Sequence, residues 1–180
     1  MNPRRLVLVL AACALAVPVL ASTPSPYAGQ QARSIKALSD RDIAALLKGE
    51  GMGLAKAAEL NGYPGPTHVL NLAKQLGLTE SQLEQITVIR DRMSAAAKPL
   101  GAELVDREQA LDQLFANGEI TPDRLAAETA AIGELQGRLR SVHLAAHLET
   151  RAALNPDQTA LYQRLRGYGT PAAPPHHHHG

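Results

Sequence analysis

Leu78-Thr79-Glu80-Ser81-Gln82 and Leu154-Asn155-Pro156-Asp157-Gln158 decide the fold. In the first, Thr79 and Gln82 have the T-x-x-Q spacing of a capping box: the hydroxyl accepts from an N–H of the opening turn and the glutamine reaches back to the cap. The second repeats the pattern with Asn as cap and Pro at the first helical position, where a missing N–H costs nothing. Each opens a helix. After Gln82, the apolar residues Leu83, Ile86, Met93, Leu100, Leu104, Leu111 and Leu114 recur at mostly helical spacings as far as Phe115. Ile86-Thr87-Val88-Ile89 is locally strand-prone, but the flanking pattern and the absence of turn signals favour helix. Pro99 with Gly101 is expected to kink or split this helix. Ala116-Asn117-Gly118 turns the chain and Thr121-Pro122 restarts it. A second long helix then carries Leu125, Ile132, Leu135, Leu139, Val142 and Ala146 to about Ala153, and a last short one ends near Arg166-Gly167.

Upstream, Thr67 to Leu76 reads as a short helix closed by Gly77. Met52 to Leu60 reads as another, stopped by Asn61-Gly62 and Pro64-Gly65-Pro66. Ser39 caps a third that carries Ile43, Leu46 and Leu47. Ser22 to Ala32 is a Pro/Ser/Gln-rich lead-in. Met1 to Ala21 has the form of a secretory signal: Arg4 and Arg5, an apolar run from Leu6 to Leu20, then a small residue. The run is short for a membrane span, so the protein is expected to be exported to the periplasm, with cleavage near Ala21, and not membrane-spanning. A lipoprotein anchored through Cys13 is the alternative, because Leu10-Ala11-Ala12-Cys13 has lipobox character. Cys13 is the single cysteine, so the mature chain forms no disulfide. The expected organisation is a signal over 1–21, a lead-in over 22–38, short helices over 39–77, a helical hairpin domain over 78–167 and a Pro/His-rich tail over 168–180.

Composition agrees with an all-α fold. The chain is 45% hydrophobic but only 3% aromatic, with four Tyr, one Phe and no Trp. Ala and Leu carry the apolar content, which favours helices over sheets. Few aromatics argue against single-stranded nucleic acid, and a net charge of +1 gives no footprint for a duplex, so no nucleic-acid partner is expected. Two long helices of about 45–55 Å joined by a tight turn form a hairpin too thin to bury both apolar faces on itself. It needs a partner, most simply a second copy about a two-fold axis.

The two motifs, in order and flanking a long hairpin, resemble the paired LTxxQ motifs of the Spy/CpxP family of periplasmic proteins. Ala146-His147-Leu148-Glu149-Thr150 resembles the AHMET-type stretch that precedes the second motif there. The likeness runs from about Leu78 to Arg166 and departs by Asn155 where the family has Thr, an equally good cap. The short helices from Ser39 to Leu76 lie outside the span that carries this likeness. The resemblance implies a hairpin that dimerises into a cradle-like homodimer. It implies either an ATP-independent chaperone for unfolded periplasmic proteins or a metal-binding member that reports envelope stress; a structural helical module that docks an envelope-stress sensor kinase or a membrane partner is a third reading of the chain.

Two histidines carry the metal alternative. His143 and His147 stand at i, i+4, so two imidazoles can converge on one Zn, Ni, Co or Cu ion. Leu144 stands where a zinc-protease motif needs its Glu. The other reading is packing, since His143 falls within the apolar stripe of its helix. His68, Glu149 or Met93 are possible further ligands that nothing in the sequence places nearby. His176, His177, His178 and His179 are either a native metal-scavenging tail or the remnant of a purification tag, and bind transition metals by composition in both cases. Gly49-Glu50-Gly51-Met52-Gly53 lacks the spacing and the preceding strand of a nucleotide loop and reads as flexible. With no Ser/His/Asp order, no cysteine nucleophile, and Asp106 and Glu108 on a mixed-charge helix face, no enzyme and no required cofactor are expected.

Overall fold

The computed structural model describes residues 24–168, so the readings of the signal, of Cys13 and of the histidine tail lie outside the described residues. The chain divides into two units, 1–31 and 32–180. In the first, the described residues form turns, with the Tyr27 N–H donating to Ser25 Oγ at 3.2 Å.

The second unit is helical, with α1 (Asp40–Lys48), α2 (Lys56–Glu59), α3 (Pro66–Asn71), α4 (Ala73–Leu76), α5 (Glu80–Ala116), α6 (Pro122–Ala153) and α7 (Pro156–Leu165). The helix starts lie where the cap residues put them. Thr79 and Gln82 form a complete capping box at α5, and Asn155 and Gln158 form one at α7. Ser39 and Asp42 form a third at α1, while Thr121 accepts from the Arg124 N–H at 3.3 Å at the start of α6. Each such cap contributes on the order of 1 kcal/mol.

Three local expectations change. α5 runs unbroken through Pro99 for 37 residues. Proline removes only the bond to the Ala95 carbonyl, and both residues are exposed, so water can satisfy that group. The helix expected over Met52 to Leu60 shrinks to Lys56–Glu59, because Met52 and Gly53 take positive φ (45° and 83°). The helix expected over Thr67 to Leu76 is divided at Leu72, where φ −103° and ψ 11° leave the helical path.

The α5–α6 hairpin is the frame, and the short helices cover one of its faces. One core joins Ala97, Leu100, Leu104, Ile132, Leu135 and Leu139 of the hairpin to Ile35 and Leu46 of the first segment. A second, at the hairpin base, joins Ile86 and Leu154 to Val69, Leu76 and Tyr162 from α3, α4 and α7. Burying each of these large side chains stabilises the fold by roughly 1.5–3 kcal/mol. The thin hairpin thus finds part of the cover it needs within its own chain. Leu83 and Leu125, placed by the sequence pattern on the apolar side, are exposed.

Gly101 shows how closely the layers meet. A Cβ at that position would stand 2.1 Å from the Leu46 carbonyl oxygen, so α1 crosses α5 where α5 has no side chain. A residue read from sequence as a helix breaker is a helix crossing point.

Candidate functional site

His143 and His147 project from α6 into the seam between the hairpin and the short helices. Both are buried, at 3% and 9% exposure. His68 of α3 reaches the same place: two adjoining clefts of about 350 and 380 Å³ are each lined by all three histidines. Met93 lines the second of them. Glu149 does not take part; it pairs with Arg92 on another side of the hairpin.

The two α6 histidines are held differently. His147 Nδ1 lies 2.7 Å from the Tyr63 carbonyl oxygen. A carbonyl only accepts, so Nδ1 carries the proton and Nε2 of the neutral ring keeps its lone pair. That Nε2 faces Gly65, where a Cβ would stand 2.9 Å away, so only glycine admits the ring. His143 lies with Nδ1 against Gly51, and its buried Nε2 has no hydrogen-bond partner. Burial, and then the neighbouring His147, hold the His143 pKa below its ordinary value, because charging the ring there means losing water without gaining an acceptor. Burial and the Arg166 charge likewise lower His68, against the pull of Glu59.

Glu59 organises this seam, and nothing in its four-residue helix announced it. One carboxylate oxygen accepts from the Tyr162 hydroxyl at 2.6 Å and stands 3.4 Å from the Arg166 guanidinium. The other accepts from the Gly65 N–H at 3.1 Å and lies 3.7 Å from His147 Nδ1. Burial first, then the bond to Glu59, raise the Tyr162 pKa, so the phenol stays a donor. The buried charge thus accepts from the Gly65 N–H and the Tyr162 hydroxyl and is paired with Arg166, which is the condition for keeping it inside.

The arrangement leaves one buried imidazole nitrogen, His143 Nε2, without a partner, and sets the other ring, His147, by a carbonyl behind it, as metal-binding histidines are commonly set. Glu59 is already engaged. Among the described residues no three His, Cys, Asp or Glu side chains are grouped to hold a metal ion.

No helix among the described residues is long and apolar enough to cross a membrane. No curated protein and no solved structure matches the chain. A family model described as LTXXQ motif family protein matches residues 67–166. That span exceeds half the chain and contains both capping boxes in the geometry just described, together with the histidine-bearing end of α6. The chain belongs to the LTXXQ motif family, to which the Spy/CpxP resemblance pointed.

Proposed function

We propose that this protein is a periplasmic chaperone of the Spy/CpxP type, a homodimer that holds unfolded proteins without ATP and catalyses no reaction. The observation that carries the reading is a side of the hairpin on which apolar and charged groups alternate in the open. Val88 and Leu148 are 61% and 58% exposed. Near them is a shallow groove of about 190 Å³ lined by Ile89, Met93, Ala96, Val142, Ala145 and Ala146, with the Arg92–Glu149 ion pair at its edge. Small side chains and a methionine adapt to many partners, and charges of both signs keep the contacts weak and reversible. The test is suppression of aggregation of several chemically different unfolded clients by the mature chain at near-stoichiometric ratios without nucleotide. Failure with all of them removes the reading.

A second reading has its own support in the unpartnered His143 Nε2 and the lone pair left on His147 Nε2. These two atoms would hold a Zn, Ni, Co or Cu ion as Lewis bases, with further ligands from water or from His176 to His179. Equilibrium titration of zinc into a protein ending at Gly169, with and without His143→Ala plus His147→Ala, tests it. Equal binding by both forms, or binding by neither, makes the pair structural.

A further inference from the structure

α1 lies in a groove that it does not fill. It crosses α5 at Gly101, where the Leu46 carbonyl oxygen takes the place of a side chain. Ahead of it, the Lys36 N–H donates to Asp112 Oδ1 at 3.0 Å and the Lys36 ammonium stands 3.4 Å from Oδ2. On the α6 side the fit ends: a cleft of about 470 Å³ opens between Leu38, Leu46 and Leu54 on one wall and Gly133, Gly137 and Leu139 on the other. Nothing lies within 4 Å of where a Cβ would stand on either glycine. Two glycines inside a helix weaken it, and within this chain they make room for nothing. Behind α1, the chain passes through Gly49-Glu50-Gly51-Met52-Gly53, with φ of 69° at Gly49, 45° at Met52 and 83° at Gly53. Met52 is the one non-glycine residue at positive φ among the described residues.

We propose that residues 35–48 are a hinged cover over a second client groove on the hairpin, and that this groove receives an apolar segment of an unfolded chain. The occupant is read from the segment now seated there. Ile35, Leu38, Ile43 and Leu46 are large apolar side chains interleaved with charged residues and alanines, and they pack on the wall formed by Ala97, Leu100, Leu104, Leu135 and Leu139. A client segment with the same alternation meets the same wall, and its larger side chains reach the glycine floor of α6 that the cover leaves open. Gln136 and Arg140 line the same cleft and supply polar partners for the client backbone. The inference rests on the chaperone reading and adds a surface that is closed in the resting protein.

The test uses the mature full chain and two release variants. Gly101→Ala puts a methyl group into the Leu46 backbone, while as a substitution within α5 it favours the helix. Asp112→Ala removes the tie at Lys36 and keeps the proposal testable where Gly101→Ala fails to fold. Amide hydrogen exchange is followed at residues 40–48 and across α6, and binding of a fluorophore-labelled, permanently unfolded carboxymethylated protein is followed by anisotropy. The expected result is exchange at least tenfold faster in α1, unchanged exchange in α6, and client affinity at least threefold tighter than in the parent protein. Release of α1 with unchanged or weaker affinity overturns the cover and leaves the chaperone reading standing where the parent protein binds. Unchanged exchange in both variants overturns the cover as well. No binding by parent or variants removes both readings.

Discussion

Gln82 and Gln158 hydrogen-bond to each other in both directions across the base of the hairpin. Gln82 Nε2 donates to Gln158 Oε1 at 2.8 Å, and Gln158 Nε2 donates to Gln82 Oε1 at 3.0 Å. Each oxygen also accepts from the cap of its own helix, from the Thr79 N–H at 3.1 Å and the Asn155 N–H at 3.0 Å. Gln82 Nε2 adds a bond to the Ala153 carbonyl at 2.9 Å, closing the last turn of α6. Two local helix starts are thereby joined into one tertiary contact. Asn in place of Thr at position 155 leaves this unaffected, because its side chain accepts from the Gln158 N–H at 2.8 Å.

Gln82→Ala and Gln158→Ala are each expected to destabilise the protein by about 1–3 kcal/mol, since each removes the bonds of its own amide and takes from the other, partly buried amide its partner across the hairpin base. The double variant should lose less than the sum, with a coupling on the order of 0.5–3 kcal/mol. Urea unfolding of the four proteins measures it. Strict additivity would mean that the two boxes act separately.

Thr79→Ala and Asn155→Ala remove only the capping acceptor. Each is expected to cost on the order of 1 kcal/mol in the same unfolding experiment, through the N–H groups left open in the first turn. Thr79→Ser and Asn155→Asp should recover most of it.

These sites were legible because a cap is local: residue type and a three-residue spacing suffice. The long helices were legible for the same reason. What sequence could not supply is which surfaces meet. Gly101 carries the same letter whether it bends a helix or admits the Leu46 backbone, and only the crossing of α1 decides. Glu59 was invisible because its role is set by Tyr162, Gly65 and Arg166, brought to it by other elements. His68 could be named as a possible third histidine but not placed beside His143 and His147 until α3 was seen against the hairpin. The wheel position of His143 did foretell its burial, since one helix face is enough for that.

The proposed homodimer has a test in the exposed side chains. Leu83 and Leu125 belong to the apolar pattern of α5 and α6 yet are exposed, and placing a charge there removes what would be apolar contact. Sedimentation of the mature chain at micromolar concentration should give a dimer, and Leu83→Lys with Leu125→Lys should shift it towards monomer with little change in helix content. A compact, stable monomer in the parent protein would mean that the cover supplied by the short helices is enough.

Stability should fall as the solution is acidified through the histidine range. The His143 pKa is held below the ordinary 6.5 by burial. The unfolded chain therefore takes up a proton at this ring before the folded one does. The stabilisation is complete above about pH 6.5 and declines as the pH drops below it, by at most about 1.4 kcal/mol per pH unit for one group. His68, lowered by burial and Arg166, acts in the same sense. Glu108, raised by burial, acts in the opposite sense, but equally in any protein that retains it. The informative quantity is therefore a difference. Urea unfolding at pH 7.5, 6.5 and 5.5 should show the parent protein losing stability more steeply than His143→Leu, a substitution close in size that keeps the site filled and removes the titrating ring. The orphaned Nε2 gives the leucine variant a second advantage at every pH, because no buried polar atom is left unsatisfied. Parallel slopes for the two proteins would mean that His143 gains an acceptor when protonated and that the seam opens to water around it.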